Sequence, residues 1–139
     1  MRPDRQVETF ATLPSSVAAF HLAYGPDQCL YVTAPTLATH DALYRITPDR
    51  MVDIVTEAFG RPQGLAFDAT GMLYVVDALA GAAGLCRVDV REERPQPEMV
   101  VAAAALIGVA FDPRGATVLN SNDTVWILDG MLTDPVESA

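Results

Sequence analysis

The stretch Leu65-Ala66-Phe67-Asp68-Ala69-Thr70-Gly71-Met72-Leu73-Tyr74-Val75 occurs nearly three times in this chain. It is preceded by Leu22-Ala23-Tyr24-Gly25-Pro26-Asp27-Gln28-Cys29-Leu30-Tyr31-Val32 and followed by the more diverged Val109-Ala110-Phe111-Asp112-Pro113-Arg114-Gly115-Ala116-Thr117-Val118-Leu119. Leu65 lies 43 positions after Leu22, and Val109 lies 44 positions after Leu65. A period in the low forties, with several short strands per unit, is the signature of a propeller blade.

Each unit divides into strands in the same way. A short apolar run opens it (residues 21–24, 64–67 and 108–111), as suits an inner strand buried on both faces. A turn rich in Asp, Pro and Gly follows, at residues 25–28, 68–71 and 112–115, where Asp bonds its own backbone and Gly supplies positive φ. Second strands are expected at residues 29–33, 72–76 and 116–120, and third strands at 43–46, 85–88 and 125–128. Outer strands are expected at residues 51–57 and 98–103; the alanine-rich run from Val100 to Leu106 is assigned by its place in the repeat and not by its helix propensity. The third unit ends in residues 130–139, a polar stretch with Pro135 and a poor strand.

The missing strand is at the other end. Val7-Glu8-Thr9-Phe10-Ala11-Thr12-Leu13 has the alternation of an outer strand and no blade of its own. The expectation is an all-β β-propeller domain over residues 1–139, with repeats at about 20–58, 63–103 and 107–129. Each chain would hold three four-stranded blades, the last completed by residues 7–13. Propellers need about four to eight blades, so three leave sheet edges and apolar faces bare. The simplest closure is a homodimer by strand exchange, a six-bladed ring with a two-fold axis. A complementary half-propeller chain, or a longer polypeptide of which this is half, are the alternatives.

Composition fits. Half of the 139 residues are apolar, enough for a real core, and the formal charge of −9 repels nucleic acid and anionic membranes. A small molecule or another protein suits the surface better. The two cysteines fall on strand positions opposite bulky apolar residues, Cys29 opposite Met72 and Cys86 opposite Tyr44 and Trp126, and read as core thiols. The start has no apolar leader and no stretch is of spanning length, so the chain is expected to be soluble and cytoplasmic as written, a mature secreted form looking the same.

The run Arg61-Pro62-Gln63-Gly64-Leu65-Ala66-Phe67-Asp68-Ala69-Thr70-Gly71-Met72-Leu73-Tyr74-Val75-Val76-Asp77 resembles the blade motif of the senescence marker protein, gluconolactonase and luciferin-regenerating enzyme family, and is close to the NHL repeat. The resemblance covers all three units and implies a six-bladed propeller. It also implies a divalent metal at one mouth of the channel, held by a Glu from an early blade and by Asn or Asp just before the Gly that opens inner strands. Those positions here are Phe20, Gln63 and Ile107. Two are hydrocarbon and the third is a weak neutral ligand, so no metal is expected and calcium is disfavoured.

Strand direction alternates, which puts the loops entering the inner strands and those between second and third strands at one mouth. That mouth gathers the candidate ligand residues His40, Asp41, Arg61, Gln63, Asp77, Asn122 and Asp123, with Phe20, His21 and Ile107 expected toward the channel. Asp41, Asn122 and Asp123 are also ordinary turn formers, Asp77 can cap its loop, and His21 can fill a packing gap. Loop positions such as His40 and Asp77 are expected to tolerate truncation with less than about 1 kcal/mol of destabilisation. No phosphate loop, paired metal-spaced histidines or nucleophile elbow is present. Two functions fit: a non-catalytic binding and assembly module, or a lactonase-type hydrolase with a degenerate or partner-completed metal site.

Overall fold

The computed structural model describes residues 7–17, 19–36, 39–78 and 83–129, together with the backbone of residues 136–137. The first blade is the antiparallel meander β1 (His21–Tyr24), β2 (Leu30–Thr33), β3 (Asp41–Ile46) and β4 (Val52–Phe59). The second is β5 (Pro62–Phe67), β6 (Leu73–Asp77), β7 (Gly84–Val88) and β8 (Glu98–Ala102). A two-residue strand, β12 (Val136–Glu137), adds to β8 in parallel. The third blade holds β9 (Gly108–Phe111), β10 (Thr117–Asn120) and β11 (Val125–Leu128). The structure is therefore all-β, three sheets of a partial propeller, and each expected strand of the three repeats is present within a few residues of its expected bounds.

The hairpin turns form for the reasons their residues suggest. Gly71 and Gly115 take φ of +88° and +89°, positions that strain other residues, and Gln28 accepts +68° where Gly is absent. The Asp68 carboxylate accepts from the Thr70 and Met72 amides at 2.9 and 3.1 Å, and Asp112 does the same for Arg114 and Ala116, both at 2.8 Å. Beyond the turns, apolar alternation leads each strand into one of two inter-blade cores. Tyr31, Leu43, Phe59, Leu65, Val75 and Cys86 pack between the first and second blades. Tyr74, Val76, Leu85, Val100, Leu106 and Leu119 pack between the second and third. Cys86 is thus a core thiol as expected, pushed up to about 12 by burial with the Asp77 carboxylate adding, and Cys29 packs half-buried at the edge of the first core.

Two features depart from the repeat. Residues 7–13 carry no strand, and among the described residues the third blade has three strands. The physical reason is that a strand exists only on a ladder, and the segment lies along the first blade, where Arg50 donates to the Thr9 carbonyl and to Glu8, far in sequence from β11. In addition, the inner-strand aromatics do not share one environment: Phe67 and Phe111 pack into the two cores, whereas Tyr24 is 71% exposed.

Candidate functional site at the propeller mouth

The register fixes which loops share a mouth. His21 pairs with Thr33, Pro62 with Asp77 and Gly108 with Asn120, so every inner strand starts beside the end of its second strand. The blades are tied together at this end. Thr33 Oγ1, fully buried, donates to the Gln63 carbonyl at 2.5 Å, and the Gly64 amide donates to the Ile107 carbonyl at 2.9 Å. A Cβ on Gly64 would lie 2.7 Å from that carbonyl oxygen and 2.8 Å from the Gly108 Cα, which is why a glycine opens this strand.

The carboxylates at the mouth are occupied. Asp77, 7% exposed, accepts from the Gly60 amide at 3.0 Å and the Arg61 amide at 2.7 Å, pinning the crossing from β4 to β5. Asp41, 4% exposed, accepts from the Thr36 amide at 2.9 Å and its hydroxyl at 2.5 Å, closing the loop before β3. Asp123 is exposed, and the Ser121 and Thr124 hydroxyls, each at 2.9 Å, hold its carboxyl below the usual carboxylate range. The expectation that Asp77 is a lightly held loop residue is therefore corrected: it is a buried strand end whose charge organises backbone amides.

The remaining candidates differ in exposure. His40, Asn122 and Arg61 are exposed, Gln63 and His21 are half-buried, and Phe20 and Ile107 keep 41% and 39% of their surface exposed. Asn120, missed in the sequence, also belongs here. Its side-chain amide donates to the Ser121 carbonyl at 3.0 Å and its oxygen lies over Gly108, where a Cβ would strike it. The repeat alignment contains a signal for it: Asn120 stands where the first two units have Thr33 and Val76, a polar side chain ending an apolar strand. The donor set does not suit a divalent cation. Phe20 and Ile107 offer hydrocarbon, and among the described residues no three His, Cys, Asp or Glu side chains converge.

Short antiparallel meanders arranged blade beside blade, with loops gathered at one mouth, define a β-propeller protein. No family model and no curated protein matches this sequence. Solved structures do. A proposed gluconolactonase from a structural genomics programme superposes with a TM-score of 0.66 at 19% identity over 77% of this chain and 42% of its own. The Xanthomonas campestris gluconolactonase XC5397 gives 0.65 at 20% identity over 78% and 42%. Regucalcin from Agrobacterium tumefaciens, a calcium-binding protein, gives 0.59 at 18% identity over 92% and 52%. The fold is that of the gluconolactonase and regucalcin propellers, and the chain spans about half the length of the solved structures it matches.

Proposed function

We propose that this chain is a binding and assembly module of the lactonase-type propeller fold, non-catalytic by itself, that works in a closed six-bladed ring whose mouth receives a small polar ligand. One observation carries the reading. The two buried mouth carboxylates, Asp41 and Asp77, are engaged in closing their own loops, while His40, Arg61 and Asn122 are exposed and Gln63 is half-buried. A closed ring of six blades needs three more, supplied by a second copy, by a complementary half-propeller chain or by a longer polypeptide of which this is half.

The second reading is a lactonase completed by the partner, and the gluconolactonase structures favour it. On that reading the missing acidic ligands come from the other half of the ring, and Gln63 contributes a neutral oxygen. The discriminating experiment is hydrolysis of an aldonolactone by the purified chain with and without chelator, alongside elemental analysis. The binding module predicts no chelator-sensitive turnover and no stoichiometric calcium, zinc or manganese. Turnover that a chelator abolishes, with about one metal per ring, replaces it with the lactonase.

A further inference from the structure

Two seams join the three blades, and on the face of the hairpin turns, opposite the mouth, they are closed to different degrees. Both are built on the same ring pair: Tyr31 meets Phe67 edge-on with ring centroids 5.1 Å apart, and Tyr74 meets Phe111 at the same 5.1 Å. Around the first pair the seam is filled. The Gly25 backbone sits so close that a Cβ there would lie 2.9 Å from the Tyr31 ring and 3.0 Å from the Phe67 ring, and a Cβ on Gly71 would meet Pro26 at 3.4 Å. Leu73 is fully buried beneath them.

The second seam differs at each of those points. Asp68 stands where the first has Gly25 and carries the Cβ that the tight seating excludes, Ala69 replaces Pro26, and Thr117 replaces Leu73. A Cβ on Gly115, the counterpart of Gly71, meets nothing within 4 Å. Between the second and third blades there is accordingly a cleft of about 210 Å³, walled by the Asp68 and Asp112 turns and lined by Tyr74, Phe111 and Thr117. Thr117 is fully buried, and its hydroxyl has no hydrogen-bond partner among the described residues. An uncompensated buried hydroxyl is a cost that a ligand able to bond it removes.

We propose that this cleft binds a small primary ammonium ion, an amine of a few carbon atoms. Its N–H groups donate to the Asp68 and Asp112 carboxylates and to the Thr117 hydroxyl, and its hydrocarbon rests against Tyr74 and Phe111. Each carboxylate holds its own turn through Oδ1, which accepts from the Thr70 and Met72 amides in one and from the Arg114 and Ala116 amides in the other; this fixes the pair in place and leaves Oδ2 for the ligand. Two carboxylates outweigh the one guanidinium in the lining, that of the exposed Arg114, and the chain's formal charge of −9 adds to the attraction for a cation. The volume sets the size, being below the roughly 300–1,000 Å³ of sites for drug-sized ligands. A bare metal ion fits worse, since among the described residues no three His, Cys, Asp or Glu side chains converge. The site shares no residue with the mouth and does not depend on how the ring closes.

The test titrates the nitrogen-15-labelled full chain with propylammonium chloride at constant ionic strength, with propanol and sodium propionate as neutral and anionic controls. Expected are saturable amide shifts within residues 68–72 and 112–117, unmoved Arg61 and Asp77 amides at the mouth, and binding of both controls weaker by at least about tenfold. Asp68→Asn and Asp112→Asn, which keep an acceptor for the turn amides, should each weaken the amine at least about tenfold, and Thr117→Val at least about threefold. Ala69→Pro restores the residue that the other two turns carry, Pro26 and Pro113, and should abolish the titration with the circular dichroism unchanged. Shifts that do not saturate, propionate bound as tightly as the amine, or an affinity indifferent to both Asn variants overturns the site. Should an Asn variant fail to fold, Ala69→Pro and the propionate control decide.

Discussion

Replacing Asp77 with alanine removes an acceptor that holds the Gly60 amide at 3.0 Å and the Arg61 amide at 2.7 Å in a site 7% exposed. Hydrogen bonds to a charged acceptor contribute about 1.5–3 kcal/mol each, and a buried amide left without a partner adds a desolvation penalty of about 1–3 kcal/mol. The two bonds share one acceptor and are not additive, so the expected loss is about 3 to 4 kcal/mol, a large part of the 5–15 kcal/mol that stabilises a typical domain. For a chain of this size that is a fall in Tm of about 10 °C. Asp77→Asn keeps one acceptor oxygen but turns a donor toward the second amide, and should lose about half as much. His40→Ala, on an exposed loop residue, should stay within about 0.5 kcal/mol. The assay is urea unfolding followed by far-ultraviolet circular dichroism at one fixed protomer concentration, because association adds to apparent stability. An Asp77→Ala protein as stable as the parent, or a His40→Ala protein less stable than Asp77→Ala, refutes the role assigned to Asp77.

Phe67→Ala and Phe111→Ala each remove an edge-on aromatic contact between blades and should destabilise by about 3 kcal/mol in the same urea series; a loss under 1 kcal/mol would mean the blades are not packed through these rings. Thr117 is fully buried and its hydroxyl has no hydrogen-bond partner among the described residues, so the near-isosteric Thr117→Val should stabilise by about 1 kcal/mol; destabilisation would reveal a partner for that hydroxyl. Burial raises the Cys86 thiol to about 12 and also lifts the Tyr31 phenol, with the Asp27 carboxylate 2.7 Å from its hydroxyl adding to the rise. Raised acids stabilise fully below their unfolded values and lose that contribution as pH climbs toward the folded ones. The urea midpoint should therefore hold from pH 7 to about 8.5 and fall above about 9, where an unchanged midpoint up to pH 11 would contradict the burial of both groups.

The repeat made the architecture legible because blade strands are dictated locally: apolar alternation, Asx-stabilised turns and glycines at positive φ occur at the same offsets three times. Gly64 could be read as the opening of an inner strand, although its reason, the approach of the Ile107 carbonyl, is visible only when two blades stand side by side. The site was legible by location and not by role. Asp41 and Asp77 look alike in sequence to any loop carboxylate, and what distinguishes them is burial against Thr36 and against the Gly60 and Arg61 amides, contacts set by the crossing between strands. Residues 7–13 show the opposite limit. Their alternation is that of a strand, but a strand needs an edge to pair with, and the single chain leaves that segment beside the first blade instead of on one.

Light scattering on the full chain at micromolar concentration tests the central claim most directly, since three blades leave Tyr24 and Leu22 exposed at one end and Val125 and Ile127 at the other. A half-propeller that closes with a second copy predicts twice the chain mass, at constant value down to the lowest concentration at which the circular dichroism still reports folded strands. A monodisperse species of one chain mass with the same circular dichroism would contradict it.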